Sequence, residues 1–175
     1  MFFSAESLNN ITQIDRDSVL LMSNADLLDC CSMDVFVGKG PGGQHRNRNY
    51  TAVRLVFRYD KNFTVEESSS RSQKQNIELA LNKLRTELAM FWRKKPAENS
   101  VYTHLNSGNQ LYAFELAKLL DVLADSEFEH KIAAQKLGVS NTFLLKELAR
   151  DYRIWEIFQQ SRKFLNKSEL KKPGN

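Results

Sequence analysis

Thr51-Ala52-Val53-Arg54-Leu55-Val56-Phe57-Arg58 alternates with a period of two, placing Val53, Leu55 and Phe57 on one face and Arg54, Val56 and Arg58 on the other. Successive side chains of an extended chain point to opposite faces, so this is a half-buried strand. Working outward, Asp60-Lys61-Asn62 reads as a turn, and Phe63-Thr64-Val65 returns antiparallel as a hairpin partner. Upstream, Met33-Asp34-Val35-Phe36-Val37 is a further short strand. Downstream, Ser70 or Ser72 is placed to cap a helix, each with a glutamine three residues later, Gln73 or Gln75, in the manner of a capping box. Ile77, Leu81, Leu84, Leu88 and Phe91 then recur at spacings of four, three, four and three, one stripe facing the hairpin, and Pro96 closes the helix. Five such side chains, each stabilising by about 1.5–3 kcal/mol when buried, suffice to hold a small sheet.

Residues 1–95 are therefore expected to form a small antiparallel sheet covered by one long helix. Pro96 to Asn109 reads as a connector rich in Asn, Ser and Gly. Residues 109–175 read as an all-helical unit with a basic tail. Tyr112, Leu116, Leu119, Leu120 and Leu123 mark its first helix. Ser126 is expected to cap a second, running through Ile132, Ala133 and Ala134. Leu137-Gly138-Val139-Ser140 is a turn into a third helix carrying Phe143, Leu144 and Leu148, and Arg153 to Leu165 is a fourth. Helix, glycine turn, helix is a helix-turn-helix-like pattern that serves nucleic-acid reading or plain packing. Lys146 and Arg150 are its only basic side chains in the second element. The tail from Arg162 to Asn175 carries five basic residues and is expected to be mobile near Pro173-Gly174. The fold class expected is α+β.

The chain of 175 residues is 42% hydrophobic and 26% charged, which supports a folded core and excludes wholesale disorder. Cys30 and Cys31 are neighbours, so no disulfide framework is expected, and His45, His104 and His130 show no metal-ligand spacing. No apolar run approaches the roughly 18 residues of a membrane span, and the first ten residues lack the basic and apolar regions of a leader. A reducing cytoplasm is the expected compartment. The net charge of +4 is unevenly spread: residues 1–37 carry −5, Gly38 to Lys95 carry +8, and the remainder +1. A polyanion is thus expected to meet the middle third.

That basic third contains Gly40-Pro41-Gly42-Gly43-Gln44, followed by His45-Arg46-Asn47-Arg48. Glycines lacking Cβ, with Pro41 stiffening the approach, let backbone come close to a ligand, and the arginines suit a phosphate-rich one. The stretch fits neither GxxxxGK[ST] nor GxGxxG, which argues against nucleotide hydrolysis. No Ser-His-Asp set or paired carboxylate site stands out. A hydrolytic role for this loop would rest on a backbone N–H, fixed before negative charge develops, and on an amide side chain that orients or excludes a water. An ordinary turn is the alternative.

Gly-Pro-Gly-Gly-Gln followed by a histidine, an asparagine and a basic residue resembles the catalytic domain of class I peptide chain release factors and their ribosome-rescue relatives. The likeness extends over roughly Met33 to Leu88: Met33-Asp34-Val35-Phe36 before the loop, Thr51-Ala52-Val53-Arg54-Leu55 after it, and Arg71-Ser72-Gln73-Lys74-Gln75-Asn76 at the helix start. The resemblance implies hydrolysis of the ester joining a nascent peptide to ribosome-bound tRNA. It assigns catalysis to Gly42, Gly43 and Gln44, with the Gln44 N–H stabilising the transition state or the leaving oxygen. It assigns contacts with ribosomal or transfer RNA to His45, Arg46, Arg48, Arg54, Arg71 and Lys74; for Arg54 a plain surface role is equally open. The sequence departs from the family where Arg46 stands in place of an apolar residue and Arg48-Asn49 in place of Lys-Thr.

The large domain that reads stop codons has no counterpart here, and no stop-codon tripeptide motif is found, so the expectation is codon-independent release of peptide from stalled ribosomes. The expected partners are ribosomal RNA and peptidyl-tRNA, with no membrane, no cofactor and no metal, the chain acting as a monomer. The competing expectation is a non-catalytic module that holds RNA or DNA with the basic sheet domain and the helix-turn-helix unit.

Overall fold

The computed structural model describes residues 11, 13–37, 50–98 and 100–174. They divide into two compact units, Ile11–Leu88 and the residues from Ala89 onward.

In the first unit, β1 (Cys31–Phe36), β2 (Ala52–Phe57) and β3 (Thr64–Glu67) form an antiparallel sheet in the order β1-β2-β3. The register pairs Phe36 with Ala52 and Cys31 with Phe57, then Val53 with Glu67 and Val56 with Thr64. The alternation of β2 is realised: Val53, Leu55 and Phe57 are fully buried, and Arg54 is exposed. The turn after β2 closes with Asp60 Oδ1 accepting the Asn62 N–H at 2.9 Å, and Phe63 meets Phe57 edge-on with ring centroids 6.4 Å apart. The helix α3 (Gln73–Phe91) covers the sheet. Leu81, Leu84 and Leu88 are buried, as the stripe requires, whereas Ile77 and Phe91 are only half-buried. The fold is α+β, as read from the sequence.

Two short helices precede the sheet, α1 (Arg16–Leu21) and α2 (Asn24–Asp29), capped by the side chains of Asp15 and Ser23. They contribute Val19, Leu20 and Leu27, all fully buried. Arg85 of α3 ties them down from within the core, its Nη1 donating to Asn24 Oδ1 at 2.8 Å and its Nη2 to the Met22 carbonyl at 2.8 Å.

The second unit holds α4 (Tyr112–Asp125), α5 (His130–Lys136), α6 (Asn141–Ala149) and α7 (Tyr152–Phe164). Most of α4 is buried on all sides, from Ala113 to Leu123, as expected of a central helix. Gly138 at φ +69° makes the turn between α5 and α6, and Ser140 caps α6 by accepting the Phe143 N–H. Asp151 caps α7.

Three expectations need correction. The long helix ends at Phe91, five residues before Pro96, because Arg93 turns inward to an ion pair with Asp121 at 3.1 Å, both side chains buried. Ser126 ends α4 instead of opening α5, whose N-cap is Glu129; Glu127 and Phe128 between them have φ of 48° and 57°, a left-handed step that separates the two helices. The segment read as a connector is bonded into this unit, the Tyr102 N–H donating to the Leu137 carbonyl at 3.2 Å and the Tyr102 hydroxyl to Glu147 at 2.7 Å. The tail, for its part, is bonded to α7 as far as Leu170. Arg162 is buried and donates to the carbonyls of Ser168 and Phe128, while the Gln159 amide pairs with Leu170 in both directions.

Candidate functional site

The sheet register fixes where the glycine loop begins and ends. Pairing of Phe36 with Ala52 is the last rung between β1 and β2, so the chain leaves and re-enters the sheet at one edge, through Val37 and Tyr50. Gly42, Gly43, Gln44, His45, Arg46 and Arg48 lie outside the described residues. What is described is the frame on either side of them.

The re-entry point is held by Asn76. This residue is fully buried in the first turns of α3. Its Nδ2 donates to the Thr51 carbonyl at 2.7 Å and to the Ser70 carbonyl at 2.9 Å, and its Oδ1 accepts the Ser70 N–H at 2.8 Å. Two carbonyl partners on one side and an N–H on the other fix the orientation of the amide without ambiguity. Ser72 Oγ accepts the Gln75 N–H at 3.4 Å and the Ser72 carbonyl accepts the Asn76 N–H at 3.0 Å, opening the helix as the capping pattern predicted. Ser70 Oγ meets Gln75 Oε1 at 2.6 Å. Sequence reasoning passed over Asn76 as a site residue, although a signal was present: it stands four residues before Ala80 and eight before Leu84, on the apolar row of the helix, where a polar group needs a buried partner.

Just before that turn, Glu67 shapes the entry to α3. Its Oε1 accepts the Ser68 and Ser69 N–H groups, each at 2.9 Å, and its Oε2 pairs with Lys83 at 3.1 Å. Burial pushes this carboxyl up, but hydrogen bonds from Ser69, Lys83 and Ser68 outweigh it and hold the group at about 2. It is ionised throughout the working range.

The described cations sort into three kinds. Arg71 and Lys74 are exposed at the α3 N-terminus and make no hydrogen bond or ion pair among the described residues. A helix start is electropositive of itself, so these two add to a region already suited to phosphate. Arg54 is half-engaged: its guanidinium pairs with Glu66 at 2.6 Å and lies 5.6 Å over the Phe36 ring, with Asp34 opposite it in the register. Arg85 and Arg93 are buried and face inward, so they add nothing to a surface for polyanions although the charge count of the segment includes them. Asn76 links Thr51 to Ser70 directly, and Ser70 adjoins Arg71; the loop's exit and the cationic helix start therefore share one end of the unit.

The helix-turn-helix-like pair offers much less. On α6, Lys146 is the only cation. Arg150, just beyond, donates to Glu147 at 3.1 Å and to the Leu105 carbonyl at 3.1 Å, and His104 Nδ1 lies 3.0 Å from Glu147 Oε1. Glu147 also takes the Tyr102 hydroxyl, so this cluster fastens the preceding segment to α6. A helix reading a DNA groove is flanked by phosphate contacts, and of the two cations at α6, Arg150 is engaged with Glu147 and the Leu105 carbonyl. No group of three or more histidine, cysteine or acidic side chains suited to a metal occurs among the described residues, and no described helix is long and apolar enough to cross a membrane.

Residues 28–114, from the end of α2 through the sheet and α3 to the first residues of α4, match the family model of the RF-1 domain. This stretch belongs to the class I release-factor GGQ-domain family. The release-factor domain thus includes both the loop and its frame, and most of the α4–α7 unit lies beyond it. Among curated relatives, the mitochondrial peptide chain release factor 1 of Bos taurus is 29% identical over 151 residues, covering 82% of this chain and 33% of its own length. Peptide chain release factor 2 of Yersinia pseudotuberculosis is 30% identical over 109 residues, covering 59% of this chain and 28% of its own. That of Haemophilus ducreyi is 31% identical over a stretch of the same length. The chain spans about a third of the length of the curated relatives it matches. No solved structure matches it.

Proposed function

We propose that this protein hydrolyses the ester of peptidyl-tRNA on the ribosome, without reading a codon, and so frees the nascent peptide from stalled ribosomes. The observation that carries the reading is the RF-1 domain match over residues 28–114, which takes in Gly42-Gly43-Gln44 and the strand, turn and helix start that frame it. Gln44 supplies a backbone N–H to the oxygen that gains charge, and its side chain shapes the space for the attacking water; Gly42 and Gly43 give the backbone its freedom. Such a donor accelerates hydrolysis only if it is in place before charge develops, which is the task of the frame. Arg71 and Lys74, exposed at the helix start, grip RNA phosphates together with His45, Arg46 and Arg48, and Arg54 joins them once Glu66 releases it. The site of action is the cytoplasm and the acting form is a monomer, with ribosomal RNA and peptidyl-tRNA as partners.

The test is peptide release on ribosomes carrying a truncated messenger, a stop codon or a sense codon in the decoding site. Release on truncated messenger, lost in Gln44→Ala while ribosome binding persists, is the expected result. Activity confined to the stop codon would overturn codon independence, and full activity of Gln44→Ala would overturn the catalytic assignment.

A further inference from the structure

We infer that Asn76 is the positioning residue for the loop that carries Gln44. The inference rests on the release reading above. Seven residues after Gln44 the chain reaches Thr51, and the Thr51 carbonyl is taken by Asn76 Nδ2 at 2.7 Å. The same amide holds Ser70 through both its carbonyl and its N–H, at 2.9 and 2.8 Å. One fully buried side chain therefore joins the loop's exit to the turn that presents Arg71 and Lys74. The sheet ladder does not supply this link: β2 pairs with β1 from Ala52 onward, and Thr51 stands outside that register. Without Asn76, the rung between Phe36 and Ala52 still closes the hairpin, but the exit can turn relative to the helix start. An RNA grip at Arg71 and Lys74 then no longer carries over to the point where the loop re-enters the sheet. In this arrangement binding to the ribosome and placement of the hydrolytic group are coupled through three hydrogen bonds of one amide.

Asparagine suits the task because it gives two donations and accepts one bond on opposite sides of a planar group. Aspartate of the same shape retains the acceptor for the Ser70 N–H. It turns a carboxylate oxygen against the carbonyls of Thr51 and Ser70, so both donations become repulsions.

The experiment compares Asn76→Ala and Asn76→Asp with Leu84→Ala, which opens a cavity under the same helix without touching Thr51. Three quantities are read for each: affinity for ribosomes, the kcat and KM of peptide release, and deuterium uptake of peptides spanning residues 38–54. For both Asn76 variants we expect kcat to fall about 10- to 100-fold, the effect of a small misplacement of a reacting group. We expect KM to change by less than about threefold and uptake of the loop segment to rise. Leu84→Ala is expected to lower the melting temperature more than Asn76→Asp does, yet to leave kcat and loop uptake near wild type at temperatures where it is folded. A kcat and loop uptake unchanged in the Asn76 variants overturn the inference, as does a loss of kcat that Leu84→Ala reproduces. If Asn76→Ala does not fold, Asn76→Asp carries the comparison alone. If the wild-type chain releases no peptide, the release reading fails, and deuterium uptake by itself decides whether Asn76 holds the loop.

Discussion

Asp121→Ala is expected to be among the most damaging single substitutions in the helical unit. Asp121 Oδ1 lies 3.1 Å from Arg93 Nη1, with the two side chains 3% and 1% exposed. The same oxygen accepts the Lys94 N–H at 3.1 Å. Arg93 also donates to the carbonyls of Ala89 and Ala117, which are neutral. Removing the carboxylate takes an ion-pair partner from a buried guanidinium, and it takes from the Lys94 N–H the acceptor at 3.1 Å. Breaking a buried pair from one side costs about 3–5 kcal/mol. For a chain of this length each kcal/mol moves the melting temperature by about 2–4 °C, so a fall of roughly 6–20 °C is expected. The informative comparison is the double variant Arg93→Met with Asp121→Leu. It removes both charges and fills the space, and should lie within about 2 kcal/mol of wild type or above it. Calorimetry on wild type, Asp121→Ala and the double variant makes the comparison. A loss below about 1 kcal/mol for Asp121→Ala, or a double variant as unstable as the single one, would refute the idea that a dry charge pair terminates α3.

Three further outcomes follow. Glu67→Gln removes a carboxylate whose folded pKa of about 2 lies below its ordinary 4.5. Being depressed, the group stabilises above pH 4.5 and the contribution fades as pH falls toward 2. The wild-type advantage, about 1–2 kcal/mol near neutrality after allowing for the half-exposed Lys83, should vanish in acid denaturation at pH 2. Gly138→Ala meets no atom within 4 Å at its new Cβ, yet forces a φ of +69° on an L side chain, so thermal melting should report a loss of about 1 kcal/mol that comes from backbone strain alone. Arg71→Gln and Lys74→Gln should each lower the salt dependence of ribosome association by about one unit of slope, whereas Arg54→Gln, already spent partly on Glu66, should lower it less.

What the sequence disclosed was whatever depends on period and punctuation. The alternation of Val53, Leu55 and Phe57, the stripe of Leu81, Leu84 and Leu88, and the Gly138-to-Ser140 turn each express a local rule, and each stands in the structure where it was read. The six-residue helices α1 and α2 escaped because so short a segment shows hardly a full apolar repeat; their caps, Asp15 and Ser23, were the available sign. Charge was the least faithful guide. Arg85 and Arg93 enter the +8 of the middle third and Arg162 the basic tail, but their burial depends on partners far away in sequence, such as Asn24, Asp121 and Phe128, that no window contains. Asn76 was hidden for the same reason, since Thr51 lies 25 residues before it. The group that holds the Thr51 carbonyl, where the chain re-enters the sheet, belongs to another element.

The folded-back tail changes how its basic residues must be interrogated. Deleting residues 168–175 to ask whether Lys171 and Lys172 touch RNA would also take away the Ser168 carbonyl that receives Arg162, and the Leu170 backbone that pairs with Gln159. A buried cation would lose one of its carbonyl acceptors at the same moment as two exposed ones vanished. Any defect of the truncated protein would then mix a collapsing α7 with a lost contact. Exchanging Lys171 for glutamine leaves every one of those bonds in place, and is the perturbation that separates a surface from a support.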